Sequence, residues 1–134
     1  MTRSAKLALI GLVGGALGLG GSVAEAQESF RVDANRANRG KTVWMRNGCY
    51  ACHGFGKVLV APDLAGVTER RDHDWLRRWL KETDAMLASD AQARAMLEQW
   101  FYVKMPQIKL SDADVDALLH FMAQETQRTR GGST

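Results

Sequence analysis

Between Asn47 and Gly56 the chain reads NGCYACHGFG, and Cys49 and Cys52 are its only cysteines. Two thiols and the His53 imidazole within five residues point to one shared task, and that task limits what the rest of the chain can fold around. A thioredoxin-like redox pair has the same C-x-x-C spacing but sits in a βαβ setting, and the alternation that marks strands is nearly absent here. A zinc site needs further ligands at set spacings, yet His73 and His120 do not pair in that way. A structural disulfide is the remaining thiol reading.

The order Cys-x-x-Cys-His is the form that attaches a c-type haem. Each thiol adds to one vinyl group of the porphyrin, and the adjacent imidazole ligates the iron from one face. On a tight helical turn the two-residue spacer sets the sulfurs at neighbouring corners of the ring, so three geometrical demands account for three residues. One covalent haem c, with its iron, is the expected cofactor, and Cys49, Cys52 and His53 are the residues expected to hold it.

The N-terminus suggests a compartment in which this attachment can occur. Arg3 and Lys6 precede the apolar run LALIGLVGGALGLGG, and Ala24-Glu25-Ala26 has the small residues of a cleavage site. The run is shorter than the roughly 20 residues that span a bilayer, and its glycines weaken a helix. Residues 1–26 therefore read as a signal peptide, and 27–134 as one mature domain exported to a bacterial periplasm. No stable membrane insertion is expected after cleavage. Removing Arg3, Lys6 and Glu25 leaves 16 basic and 14 acidic side chains. They are mixed along the chain, so no nucleic-acid partner is expected.

The mature part reads as all-α, with four or five short helices. Asp33 can cap a helix over about 34–46 that turns Ala37, Gly40, Val43 and Trp44 to one side. Glycines and Pro62 make a loop from Gly54 to about Arg71. A second helix opens at Asp72 or Asp74 and carries Trp75, Leu76, Trp79 and Leu80. Ser89 with Gln92 has capping-box spacing for a helix reaching about Tyr102, and Ser111 with Asp114 repeats it for a helix over about 112–127. That last helix turns Val115, Leu118, Leu119 and Met122 inward. Such short helices enclose little core by themselves, and a large apolar ring would supply the missing centre.

A second axial ligand decides between electron transfer and small-molecule chemistry at the iron. Met86, Met96, Met105, Met122, His73 and His120 are the candidates. Met96 and Met122 sit on apolar helix faces suited to packing, His120 reads as a partly exposed surface residue, and His73 has a capping or solvated role. Met86 falls near the end of a helical segment or in the loop after it. Met105 lies between two expected helices, and Pro106 biases its backbone toward an extended conformation that can lay the thioether across a haem face.

These features together resemble the class I c-type cytochromes, in particular the small bacterial periplasmic monohaem members, from Gly40 to Met122. Gly40 and Trp44 look like the family's glycine and aromatic on the first helix, with Leu118 and Phe121 at the partner positions on the last. The resemblance implies that the Pro62 carbonyl receives the haem histidine's Nδ1–H, that Trp79 packs against the porphyrin, and that Met105 in KMPQIKLSDADVDALLHFM is the axial methionine. It also implies a class I cytochrome c fold around one covalent haem. Two strings, RRDHDWLRRWLK and MPQIKLSDADVDALLHFM, are further similar to cytochromes that accompany periplasmic oxidoreductases handling sulfite or nitrous oxide.

The expected function is one-electron transport between a redox protein donor and acceptor, without catalysis by the chain itself. Tyr50, Ala51, Phe55, Val58 and Leu59 are candidate rim residues where the electron crosses, with Lys57 as a steering charge; loop packing is the competing role for Phe55 and Leu59. Two alternatives stand beside this one. The chain could serve as the haem c subunit of a periplasmic oxidoreductase, or as a gas- or peroxide-binding protein with an open sixth site.

Overall fold

The computed structural model describes residues 30–132, so the expected signal peptide over 1–26 and the cleavage near Gln27 lie outside the described residues. Six α-helices and one short 3-10 turn are present, with no strand among the described residues. The all-α expectation holds.

Helix α1 (Ala34–Arg46) starts where Asp33 accepts a hydrogen bond from the Arg36 amide, and it buries Ala37, Gly40, Val43 and Trp44, the four positions that helical spacing places on one side. It crosses the last helix, α6 (Asp112–Gly131), which opens on the Ser111 hydroxyl cap and buries a nearly continuous run from Ala117 to Ala123. The crossing is close. A Cβ on Gly40 would lie 2.0 Å from the Ala117 carbonyl oxygen and 2.7 Å from the Phe121 Cβ. Val43, Trp44, Leu118, Leu119, Phe121 and Met122 fill the interface together with Leu76.

Acidic residues in the first turns of α6 tie it to its neighbours. Asp116 pairs with Arg36 at 2.8 Å and Arg77 at 3.2 Å, and Asp114 pairs with Arg39 at 3.3 Å and Arg46 at 3.4 Å. The guanidinium groups on α1 are more than half exposed, so water and salt screen these pairs and they orient the crossing more than they stabilise it. Burial of side chains such as Leu119 and Val43, worth about 1.5–3 kcal/mol each, is the larger effect.

Between α1 and α6 run α2 (Val67–Arg70), α3 (His73–Lys81), α4 (Thr83–Ser89) and α5 (Ala91–Gln99). Asp72 caps α3 by accepting from the Trp75 amide at 2.8 Å. Several details depart from the sequence expectations. Helix α2 forms inside the expected 54–71 loop, after Gly66 turns at φ 76°. Helix α4 follows α3 with only Glu82 between, and the Thr83 hydroxyl donates to the Trp79 carbonyl at 2.8 Å across the junction.

The cap of α5 is Asp90, which accepts from the Ala93 amide, rather than Ser89. The Ser89 hydroxyl instead donates back to the Ala85 carbonyl at 2.8 Å and closes α4. Helix α5 ends at Gln99 instead of near Tyr102, because Phe101 and Tyr102 adopt positive φ angles of 54° and 59°.

His120 is not a surface residue. It is 7% exposed, its Nδ1 accepts from the Asp33 amide at 3.0 Å, and the Phe30 ring lies 4.6 Å away. Burial lowers its pKa below 6.5, with Asp116 acting in the opposite sense. The neutral ring is thus favoured by folding, so its contribution is complete above about pH 6.5 and declines as the pH falls through and below that value.

Two outcomes follow from this packing. Gly40→Ala should force α1 and α6 apart and lower stability by about 1–3 kcal/mol or more, read as a reduced thermal midpoint. The midpoint should also fall between pH 7 and pH 5, and His120→Gln should flatten that slope; an unchanged slope would show that other groups set the acid sensitivity.

Candidate functional site

A cavity of about 470 Å³ opens between the cysteine segment, α3, the α4–α5 hairpin and the inner face of α6. This is within the roughly 300–1,000 Å³ typical of cofactor-sized sites. Cys49, Cys52, His53, Pro62, Trp79 and Met105 all line it, although they come from four separate stretches of sequence. Its walls are otherwise mostly apolar, with Leu64, Leu76, Leu80, Leu97, Leu118 and Met122 among them.

The cysteine segment leaves α1 through Gly48, which turns at φ 67°, and enters the 3-10 turn Cys49–Ala51. The amides of Cys52 and His53 both bond the Cys49 carbonyl, at 3.3 and 3.0 Å, so the tight turn carries both sulfurs and the imidazole together. The two sulfurs are not joined to each other. Burial pushes the Cys49 thiol up, which disfavours a free reactive thiolate. Among the described residues no group of three or more His, Cys, Asp and Glu side chains is arranged to hold a metal ion by itself.

His53 and the Pro62 carbonyl oxygen are 2.9 Å apart through Nδ1. A donated Nδ1–H fixes the ring orientation and leaves the Nε2 lone pair free as a ligand. Burial lowers the His53 pKa, with the Pro62 carbonyl opposing it, so the ring is favoured in its neutral form. The loop that presents Pro62 is fastened to the cysteine turn by the Ala61 amide on the Cys52 carbonyl at 2.9 Å and the Leu64 amide on the Gly54 carbonyl at 3.0 Å. Asp63 accepts from the Gly56 and Ala65 amides, each at 2.8 Å.

Met105 reaches the cavity from the loop before α6. Gln107 holds this loop against α4: its Oε1 accepts from the Asp84 amide at 3.1 Å, and its Nε2 donates to the Lys81 carbonyl. Lys104 pairs with Asp84 at 2.6 Å. Neither Gln107 nor Asp84 carries a sequence signal, because a polar residue in a loop reads the same whether or not it grips a helix end.

The other axial candidates differ in placement. Met96 and Met122 line the cavity, as Met105 does, whereas Met86, His73 and His120 do not. Met86, on α4, is fully buried. His73 Nε2 meets the Thr68 carbonyl at 2.8 Å, and its ring stands edge-on to Phe30. Trp79 stacks on Trp75 at 5.5 Å, and both are on the cavity wall. Of the rim candidates, Tyr50, Val58 and Leu59 are exposed, while Phe55 packs between Trp44 and Phe121. A second, more open pocket beside Arg70 and Arg130 has no cysteine, methionine or aromatic residue and is not this site.

A family model, Cytochrome c, matches residues 37–126. Among solved structures, the cytochrome c domain of the pp3183 protein from Pseudomonas putida is 39% identical, with a TM-score of 0.61 over 69% of this chain and 92% of that one. A cytochrome c from Rhodothermus marinus is 21% identical, with a TM-score of 0.67 over 73% of this chain and 83% of that one. An engineered Rhodothermus marinus cytochrome c bound to a carbene intermediate is 20% identical, with a TM-score of 0.63 over 73% and 83%. No curated protein matches the chain.

A helical domain closed around an apolar cavity, with a C-x-x-C-H turn on its wall, defines a c-type cytochrome of class I. The chain belongs to the cytochrome c family, whose members carry covalently bound haem c with its iron and transfer electrons. The cavity fits that group in size and apolar lining, and it has thiols and a neutral imidazole on one wall.

Extraction with acidified organic solvent should leave the pigment on the parent polypeptide and release it from a Cys49→Ala, Cys52→Ala variant. Pigment retained by the variant would place the attachment elsewhere, and release from the parent would mean that no covalent bond holds it.

Proposed function

We propose that the chain is a periplasmic one-electron carrier whose haem is bonded through Cys49 and Cys52 and whose iron is ligated by His53 and Met105. The single observation behind this reading is that all four residues line one cavity. When bound, the haem supplies an iron that cycles between ferric and ferrous states by one electron. The chain's own residues hold, orient and exclude. Pro62 keeps the His53 ring fixed through the 2.9 Å contact. Gln107 and Lys104 hold the Met105 loop against the start of α4, so its thioether need not move when the charge changes.

The cavity wall is mostly apolar, and His53 with the uncharged Met105 thioether would hold the iron in a way that favours the ferrous state and raises the potential. Pro62 and Trp79 complete the cofactor-binding set. With Met105 as the second ligand the iron would have no open position, which is why this reading favours electron transfer over gas or peroxide chemistry. The exported location is supported by the sequence of residues 1–26, which reads as a signal peptide. The donor and acceptor are redox proteins that touch the exposed rim.

The deciding measurement is the visible spectrum and potential of Met105→Ala beside the parent. The thioether-to-iron charge-transfer band should disappear, the potential should fall by on the order of 100 mV, and carbon monoxide should bind the ferrous variant faster. A band unchanged in the variant would refute Met105 as the ligand.

A further inference from the structure

The segment between α5 and Met105 breaks two rules of globular surfaces at once. Phe101, Tyr102 and Val103 are consecutive and apolar or aromatic, yet they are 88%, 70% and 54% exposed. A consecutive exposed run of this kind costs solubility and is normally absent unless it is used. Phe101 and Tyr102 also hold φ angles of 54° and 59°, a left-handed region that suits glycine or asparagine and is an outlier for bulky side chains. The backbone turn itself is well made: the Tyr102 amide bonds the Leu97 carbonyl at 2.9 Å, and the Val103 amide bonds the Trp100 carbonyl at 3.0 Å. Glycine or asparagine would close α5 in the same way with less strain. The aromatic rings gain almost no internal packing in exchange.

The location gives the run a use. Val103, the last residue of the run, lines the cavity, so the two exposed aromatics stand next to the cavity lining. The charges on the cavity lining that Val103 shares are mainly positive, with Arg70, Arg71 and Lys104 against Asp63, and Lys104 pairs with Asp84 at 2.6 Å. Arg70 and Arg71 also line the cavity, and their guanidinium groups rest on the Ala65 carbonyl and the Trp75 ring rather than on carboxylates. The one acid on the lining, Asp63, is taken up by two backbone amides.

From this we infer that Phe101, Tyr102 and Val103 form a preset docking knob for a protein electron-transfer partner that offers an apolar socket rimmed by carboxylates. The inference rests on the electron-carrier reading above and adds where the partner sits. Two exposed aromatics held rigid before contact suit the centre of a small interface, since little rotamer or loop entropy is then lost on binding. A lipid surface would also accept the rings, but it would seal the cavity mouth against any protein partner.

The test compares the holo-protein with a Phe101→Asn, Tyr102→Asn variant, in which asparagine keeps the left-handed turn and removes the rings. Electron transfer from the reduced protein is followed by stopped flow to two oxidants, an acidic blue-copper protein and ferricyanide, which needs no socket. The protein–protein rate should fall about tenfold or more, while the ferricyanide rate and the potential change less than about twofold and the thermal midpoint holds or rises. Equal losses with both oxidants, or no loss with either, would overturn the knob. Binding of the parent, but not the variant, to phosphatidylserine vesicles with unchanged protein–protein rates would assign the surface to a membrane and overturn it too. Failure of the parent to reduce either oxidant would instead refute the carrier reading itself.

Discussion

The approach of Gly40 to the Ala117 carbonyl sets the distance between the first and last helices, and the remaining architecture depends on that distance. With no side chain at Gly40, Trp44 can settle onto Phe121 at 5.6 Å and Phe55 can close over both. The cysteine turn leaves directly from the end of α1, so the crossing also fixes where Cys49, Cys52 and His53 meet the cavity. Leu118 and Met122, one turn apart on α6, form the opposing wall. A shift of the crossing would therefore move both sides of the cavity at once.

The cavity walls are fastened by backbone contacts more than by side-chain chemistry. Pro62 reaches His53 with a main-chain carbonyl, and the loop behind it is fixed by amide contacts to Cys52 and Gly54. The opposite lip relies on side chains: Gln107 and Lys104 join the Met105 loop to the junction of α3 and α4. The two lips of the cavity are thus held in different ways, one mainly by the main chain and the other by side chains.

Periodicity made α1 legible because its apolar residues recur at helical spacing and Asp33 stands at the cap. The same reasoning misplaced the start of α5: Ser89 and Asp90 are both good caps, and the sequence does not say which one the chain uses. It overlooked α4, whose seven residues are too few for a periodic signal and which is secured by Met86 and Thr83 packing at full burial. His120 was misread for a related reason. Its burial depends on Phe30 and the Asp33 amide arriving from the other end of the chain, a long-range event without a local signature.

By itself the sequence determined the helical class, the haem attachment motif and a short set of axial candidates, since these follow from local spacing and from chemistry that few residue types can perform. Only the tertiary structure decided which candidates face the cavity, which histidines are withdrawn from it, and that Phe101 and Tyr102 stand outside in strained conformations. Each of those outcomes depends on contacts between segments distant in the chain, and packing of that kind is set by the whole fold at once.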